Sequence, residues 1–294
     1  MHQNSATLTH KNYWASFFKL VRWQNLVIII FTQYMVKLFL ISPEQPLLKT
    51  ALEFPLFLIS ASTVIIAAAG YIINDYYDIK IDRVNKPQRI IIGHKIQRRV
   101  ALGAHFTLNI IGIGIGLWVN LKVGIINFIA GFLLWLYSNQ LKRLPLVGNT
   151  VIAALTALVV IVMAVYYQKQ QMVLFTFSTF AFFITMVREI IKDMEDVKGD
   201  ATFGCKTLPI VWGIRRTKNV IYIFMGILTL ILLSTLFVYR NLFILYLVIF
   251  VLPSLFFLFI RLRSADTKKE YRYLSHFCKF IMLIGVLSMV LINY

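Results

Sequence analysis

The feature that most constrains this 294-residue chain is a series of nearly continuous apolar stretches that recur along its whole length. Each has about 17 to 23 residues, enough to cross a hydrocarbon core of roughly 30 Å as an α-helix. The sequence therefore predicts an all-α integral membrane protein with nine transmembrane helices, in a single polytopic domain over residues 1–294. The stretches lie near residues 22–42, 54–74, 100–119, 122–139, 150–167, 172–192, 218–239, 241–261 and 275–293.

Composition agrees with a chain that lies in lipid. Hydrophobic residues make up 59% of it and charged residues 14%, and a soluble domain could not bury so many apolar side chains. The N-terminus is polar and lacks a cleavable signal pattern, so we expect the first helix to be retained as an anchor. Cys205 and Cys278 have neither CxxC spacing nor a nearby histidine pair, and we interpret both as ordinary thiols.

The excess of positive charge indicates membrane topology rather than a nucleic-acid partner. The formal net charge is +18, but the basic residues lie at the ends of apolar spans and form no single soluble patch, so we expect no nucleic-acid binding. Basic loops resist translocation, which predicts a multi-pass cell (inner) membrane protein with residues 1–19 in the cytoplasm and Tyr294 outside. All but five of the 30 Lys and Arg fall on the N-terminal side, the exceptions being Lys37, Lys49, Lys122, Lys169 and Arg240.

Acidic residues are concentrated in two short segments, at the predicted cytoplasmic ends of the second and sixth spans. Both segments carry Asp at positions i, i+3 and i+7. At about 100° per residue, three such side chains fall within an arc of roughly 60°, on one face of a helix. We call these two sets the first and second Asp triplets: Asp75, Asp78 and Asp82, then Asp193, Asp196 and Asp200.

The Asp triplets predict a metal site. Carboxylates about 6 Å apart repel each other by roughly 3 kcal/mol at an effective dielectric constant of about 20, so a cation must balance them. An all-oxygen ligand set favours a hard ion, and Mg²⁺ commonly combines one or two carboxylates with substrate phosphates. The alternative is that these acids cap helices or pair with Lys and Arg in a solvated loop. Two triplets with the same spacing favour Mg²⁺ bridged to a diphosphate.

Basic residues near the triplets are suited to hold phosphoryl oxygens, as donors and as counter-charges. Most cations at helix ends serve only as topology determinants. Lys192 and Arg89 are stronger candidates because they lie within the acidic motifs, and Lys86, Lys142 and Arg143 lie in or near the same loops.

The first motif resembles that of the UbiA superfamily of intramembrane prenyltransferases, N-D-x2-D-x3-D-x2-N-K-P-x-R. A nine-helix count with motifs after helices two and six is also similar to that family. Within it, the segment from Arg188 to Asp200, the sequence Lys206-Thr207-Leu208-Pro209 and the segment 137–149 resemble digeranylgeranylglyceryl phosphate synthases. The matches to the first motif are Asn74, Asp75, Asp78, Asp82, Asn85, Lys86, Pro87 and Arg89.

The resemblance implies a bundle with a central cavity, open to the cytoplasm and laterally to lipid. It implies transfer of a geranylgeranyl group from a prenyl diphosphate to the hydroxyl of a prenylglyceryl phosphate, which forms an ether lipid in the membrane. Mg²⁺ held by Asp75, Asp78, Asp193 and Asp196 would neutralise the leaving diphosphate. Asp82 and Asp200 would complete the shell.

The same resemblance implies further site residues. Lys192 and Tyr137 join the four central aspartates as catalytic candidates; an aromatic face can stabilise a carbocation, although interface tyrosines commonly serve as belt anchors. The family's first motif usually continues with proline, where this chain has Ile90. Arg22 and Asn25 stand where the family often has R-P-x-N, with Trp23 in place of the proline. The residues expected to contact substrate are Asn25, Asn74, Asn85, Lys86, Arg89, Lys142, Arg143, Arg188 and Glu189.

The acidic motifs have three other interpretations. A transporter would place acids near mid-span rather than beside Lys and Arg at one membrane face. A CDP-alcohol phosphotransferase requires glycine after its second Asp, where this chain has Ile79. An aromatic prenyltransferase of the quinone, tocopherol or chlorophyll type shares the diphosphate chemistry and differs only in its acceptor, so this alternative stays open.

Overall fold

The computed structural model describes residues 15–235, 237 and 242–293, and within these ranges the chain is helical with short connections and a single isolated β-bridge. Nine helices in the described part are long and apolar enough to cross a membrane, which confirms the predicted number of spans. Residues 1–14, Arg240 and Tyr294 lie outside the described residues. The helices are α1 Trp23–Ile41, α2 Phe54–Asn85, α3 Arg98–Val119, α4 Leu121–Asn139, α5 Val147–Tyr167, α6 Gln171–Thr202, α7 Leu208–Thr235, α8 Leu242–Ser264 and α9 Lys268–Leu291.

Helices α2 and α6 are much longer than the apolar stretches that predict them. Each has 32 residues, or about 48 Å at 1.5 Å per residue, whereas a hydrocarbon core is roughly 30 Å thick. The extra turns at their C-terminal ends carry the two Asp triplets. Both triplets therefore lie on regular helix, as their spacing predicts.

The chain divides into two compact units. The first unit comprises Met1–Ile30 and Leu58–Gln140, and the second comprises Phe31–Phe57 and Leu141–Tyr294. The first unit contains the first Asp triplet, and the second unit contains the second. A single functional domain over residues 1–294 stays a prediction.

In the first unit, glycines and asparagines allow α3 to pack closely against α2 and α4. A Cβ atom on Gly112 would lie 2.9 Å from the side chain of Ile66, and the Nδ2 atom of Asn127 donates to the carbonyl oxygen of Gly112 at 3.1 Å. Gly116 faces Gly124 and Asn127 in the same way. The GxGxG sequence of α3 is thus a helix-packing motif, as its position inside an apolar span predicts.

An apolar cluster fixes the start of the first unit against the first Asp-bearing helix. Leu20 and Val21, just before α1, are buried together with Ile72 of α2. Ile92 and Ile96, which form the β-bridge, belong to the same cluster. The isoleucine-rich sequence that replaces the family's proline therefore folds back onto the helix and anchors the loop after the first motif by burial.

In the second unit, α6 contacts α5, α7 and α9. A side chain on Gly285 of α9 would collide with the ring of Phe180 on α6, so the two helices approach closely there. Gly213 interrupts α7 with a φ of 76°, a left-handed backbone that glycine adopts without steric cost. These contacts support α6 from several sides.

A polar cluster in the second unit joins α1 and α5 to Glu53, the residue that precedes α2. The Nζ atom of Lys37 lies 2.6 Å from Glu53 Oε2 and 3.8 Å from the ring centroid of Tyr167. The Tyr167 hydroxyl donates to the other oxygen of Glu53 at 2.9 Å. Lys37 lies in a π-helical turn, Val36–Ile41, and is 4% exposed. We call these three residues the Lys37 cluster.

Candidate active site

The first Asp triplet occupies the last turns of α2. All three aspartates are partly exposed, and they project from one helix face because of their spacing. The Nδ2 atom of Asn74 donates to Asp78 Oδ2 at 2.9 Å, one helical turn along. The predicted contact residue Asn74 is therefore part of the carboxylate cluster itself.

Arg22 pairs with the first triplet. Its guanidinium donates to Asp75 Oδ1 at 2.8 Å and lies 4.9 Å from the ring centroid of Tyr71. Asn25 donates to the Tyr71 hydroxyl at 3.1 Å. The predicted residue Asn25 thus reaches the motif helix, and Arg22 is a site residue that sequence reasoning missed, although its place before Asn25 in the family's R-P-x-N pattern was a usable signal.

The backbone and charge of Arg22 are both fixed by their surroundings. Its φ is 52°, in the left-handed region that costs a non-glycine residue roughly 1–2 kcal/mol. Burial lowers the pKa of the guanidinium, but Asp75 and Tyr71 outweigh that effect and raise the pKa above its ordinary value. A permanent positive charge is therefore held beside the first triplet.

The rest of the first motif forms the end of α2 and the turn that follows. Asn85 is buried, and the backbone N–H of Lys86 donates to the carbonyl oxygen of Asp82 at 2.8 Å. A short 3₁₀ turn, Pro87–Arg89, comes next. Tyr137, also in the first unit, is half-buried near the C-terminal end of α4.

The second Asp triplet lies on the last turns of α6. The Nδ2 atom of Asn149, in the first turn of α5, donates to Asp193 Oδ2 at 2.8 Å. Asn149 is buried, so this hydrogen bond is protected from water. Sequence reasoning did not select Asn149 as a site residue, although the Gly148-Asn149 pair was part of the resemblance.

Glu189 is held by its own neighbours on α6. It is buried, and its two carboxylate oxygens accept hydrogen bonds from Arg188 and, at 3.3 Å, from Lys192. The three predicted residues Arg188, Glu189 and Lys192 thus form one charged group a turn before Asp193. Their contact with substrate stays a prediction.

Glu195 is a second buried carboxylate on α6. Its Oε1 atom accepts a hydrogen bond from Arg272 Nε of α9 at 2.9 Å, and its side chain is 6% exposed. Because Glu195 lies on another face of α6 than the triplet, the pair fixes the rotation of α6 about its axis. Sequence spacing gives no signal for this partner.

Lys142 and Arg143 lie in a short 3₁₀ turn, Leu141–Arg143, just before α5. The turn packs so tightly on the start of α5 that a Cβ atom on Gly148 would lie 2.8 Å from Lys142 Cα. The backbone N–H of Lys206 donates to the carbonyl oxygen of Arg143 at 2.8 Å. Both predicted residues therefore belong to the same unit as the second triplet.

The donor chemistry of the triplets fits Mg²⁺. Each triplet offers carboxylate oxygens on one partly exposed helix face, and its fixed neighbours are amides and cations. Among the described residues no three His, Cys, Asp or Glu side chains form a ready-made cage. Carboxylate oxygens are the protein ligands that Mg²⁺ combines with water and substrate phosphates.

The chain is similar to known proteins over most of its length. The model of the UbiA prenyltransferase family matches residues 29–284. A digeranylgeranylglyceryl phosphate synthase from Methanosphaera stadtmanae is 32% identical over 238 residues, which cover 80% of this chain and 87% of the relative.

Solved structures share the fold. One, from work on digeranylgeranylglyceryl phosphate synthase in membranes, aligns with a TM-score of 0.72 at 25% identity and covers 95% of this chain and 98% of that one. A UbiA homolog from Archaeoglobus fulgidus bound to GPP and Mg²⁺ aligns with a TM-score of 0.62 at 15% identity over 93% of this chain and 99% of that one. With nine spans among its described residues and a family match over most of its length, this chain belongs to the UbiA prenyltransferase family.

Proposed function

We propose that this protein transfers a geranylgeranyl group from geranylgeranyl diphosphate to the hydroxyl of geranylgeranylglyceryl phosphate, forming a membrane ether lipid. The observation that carries the acceptor class is the similarity to a digeranylgeranylglyceryl phosphate synthase over most of both chains. The two Asp triplets and their cationic neighbours support the diphosphate chemistry. Membrane lipid surrounds the enzyme, and the motif side faces the cytoplasm.

The six aspartates of the two triplets would hold Mg²⁺. When bound, the metal supplies charge neutralisation to the leaving diphosphate. Asn149 contributes by holding Asp193 Oδ2, which leaves Oδ1 as the candidate metal ligand.

Besides the metal, three side chains of the protein supply positive charge next to the triplets: Arg22, Lys86 and Lys192. Arg22 is already oriented by Asp75 and Tyr71, and Lys192 by Glu189. Donors that are fixed before the substrate arrives stabilise developing negative charge without further reorganisation. We assign these residues to the diphosphate oxygens as charge builds on the leaving group.

In the reaction, the allylic C–O bond to diphosphate breaks and the acceptor hydroxyl oxygen bonds to the same carbon. The hydroxyl proton leaves to the diphosphate or to water, so atoms and charge balance. Because the allylic cation is stabilised by resonance, leaving-group stabilisation and placement of the hydroxyl supply most of the rate enhancement.

The experiment that tests this function offers the purified protein, in lipid, two alternative acceptors. Geranylgeranyl diphosphate and Mg²⁺ are supplied with either geranylgeranylglyceryl phosphate or 4-hydroxybenzoate, and products are identified by mass spectrometry. We expect the ether-lipid product. Product from the aromatic acid alone would instead assign the chain to the aromatic prenyltransferases.

A further inference from the structure

Two loop segments of the second unit meet beside the second Asp triplet, and each presents one exposed cation. The first is the turn that contains Arg143, and the second is the connection between α6 and α7 that contains Lys206. The backbone N–H of Lys206 donates to the carbonyl oxygen of Arg143 at 2.8 Å. Both side chains are exposed, so the two charges are available on neighbouring segments.

The backbone that carries Lys206 is firmly anchored. Cys205, Thr207 and Leu208 are all buried, and Lys206 is the exposed residue among them. The N–H of Cys205 donates to the carbonyl oxygen of Asp200 at 2.9 Å, which ties the loop to the end of the triplet helix. Lys206 is therefore presented from a fixed position rather than from a mobile loop.

The turn that carries Arg143 is fixed to the same triplet from the other direction. Gly148 permits the backbone of this turn to pack against the first turn of α5. The next residue, Asn149, donates to Asp193. The backbone segments that carry the two cations are thus held at the two ends of the second triplet, one through Asn149 at Asp193 and the other at the carbonyl oxygen of Asp200.

The charge balance at this place suits a phosphate monoester. Neither Arg143 nor Lys206 takes part in an ion pair within the described residues. A phosphate monoester carries about −1.5 to −2 charges at neutral pH, and two cations with several N–H donors match it.

We propose that Arg143 and Lys206 form the subsite for the phosphate of the acceptor. The inference rests on the proposed function, since the acceptor is then a glycerol phosphate whose phosphate and reacting hydroxyl lie on adjacent carbons. Holding the phosphate beside the second triplet places that hydroxyl close to the donor carbon. The same subsite lets the enzyme select phosphorylated acceptors over uncharged glycerol lipids.

The test compares phosphorylated and dephosphorylated acceptors in one protein preparation. The parent protein, the double variant Arg143→Gln/Lys206→Gln and both single variants are assayed in lipid with geranylgeranylglyceryl phosphate and with geranylgeranylglycerol. The ratio of the two kcat/KM values is the readout, because it does not depend on how much of the protein is folded. We expect each single change to lower this ratio about tenfold, by loss of one charge-assisted contact.

Two controls make the result specific. Lys198→Gln removes an exposed lysine from α6, about 170° around the helix from the triplet, and should leave the ratio unchanged. The charge-conserving variants Arg143→Lys and Lys206→Arg should retain most of the preference. The KM for geranylgeranyl diphosphate should stay within about twofold of the parent value in the single variants, since the donor binds elsewhere.

Each other outcome overturns the inference. An unchanged ratio in the double variant would show that the two cations do not recognise the acceptor phosphate. A rise in donor KM with an unchanged ratio would assign them to the diphosphate. If the parent protein makes no ether lipid at all, the proposed function fails first and the subsite falls with it, which is distinguishable from failure of the subsite in an active enzyme.

Discussion

At the scale of single residues, Arg22 combines a strained backbone with a hydrogen bond to an aspartate of the first triplet. Its left-handed backbone is held by the burial of Leu20 and Val21 immediately before it. Strained residues persist where their surroundings determine them, and they are frequent in functional sites. Because Arg22 is fixed against Asp75 and Tyr71 in advance, little side-chain freedom is lost when a diphosphate binds.

Replacing Arg22 should weaken use of the donor. We expect Arg22→Gln to lower kcat/KM for the prenyl diphosphate by about tenfold to a hundredfold, since one oriented charge-assisted donor is lost. Arg22→Lys should retain only part of the parent kcat/KM, because an ammonium group lacks the forked donor geometry of a guanidinium. The matched control is Lys19→Gln, at a nearby exposed cation; equal effects at positions 19 and 22 would contradict the assignment.

Replacing one aspartate in either triplet should impair turnover. Asp75→Asn and Asp193→Asn are each expected to lower kcat by at least about a hundredfold, because an amide is a poorer ligand for Mg²⁺. This loss corresponds to a rise of roughly 2.7 kcal/mol in the activation free energy. The measurement is kcat at saturating donor and Mg²⁺. Near-normal turnover in both variants would exclude these residues from the metal shell.

The sequence identifies the acids of the site but not their partners. Regular spacing predicts which carboxylates share a helix face, because it depends only on helix geometry. Arg22 and Asp75 are 53 residues apart, and Asn149 and Asp193 are 44 apart. Such pairs depend on how helices pack, which one sequence without its tertiary contacts does not specify.

At the scale of elements, α6 is oriented by charges on more than one of its faces. The triplet occupies one face, and Glu195 on another face accepts a hydrogen bond from Arg272 of α9. Hydropathy predicts where such a helix enters the membrane, but its apolar run ends before the helix does. Hydropathy therefore did not predict that α2 and α6 continue to Asn85 and Thr202, although the spacing of the triplets indicated helix as far as Asp82 and Asp200. The π-helical turn at Val36–Ile41 was not predicted.

Removing the partner of Glu195 should destabilise α6. Arg272→Met leaves a buried carboxylate without its cation and is expected to lower the free energy of unfolding by about 1–3 kcal/mol. The measurement is thermal unfolding in detergent. The double variant Arg272→Met/Glu195→Gln should recover part of the loss, and an unaltered Tm for the single variant would argue against an orienting role.

The Lys37 cluster should contribute stability without taking part in catalysis. Lys37→Met leaves Glu53 with an uncompensated charge, and we expect a loss of about 3 kcal/mol in unfolding free energy, reduced in Lys37→Met/Glu53→Gln. Tyr167 and Asn149 lie at opposite ends of α5, roughly 27 Å apart at 1.5 Å per residue. Donor KM measured well below the Tm should therefore be unchanged, and a selective rise in donor KM would assign the cluster another role.

At the scale of the whole molecule, the exposed surface of the spans is that of a membrane protein. Large apolar side chains such as Trp118, Met172 and Phe256 are 65–77% exposed. Such exposure would be unfavourable in water, but these side chains can contact lipid tails instead. Apolar span length alone therefore predicted the fold class and the number of helices. The sidedness of the termini is a prediction from the distribution of Lys and Arg.

The central claim is that the aspartates of each triplet take part in Mg²⁺-dependent binding of the prenyl diphosphate. The most direct test is calorimetric titration of a non-hydrolysable geranylgeranyl diphosphate analogue into the parent protein, Asp75→Asn and Asp193→Asn, with and without Mg²⁺. We predict Mg²⁺-dependent binding in the parent protein and a loss of that dependence in each variant. Binding that is equally tight and equally Mg²⁺-dependent in either variant would contradict a role for that triplet in the Mg²⁺ site.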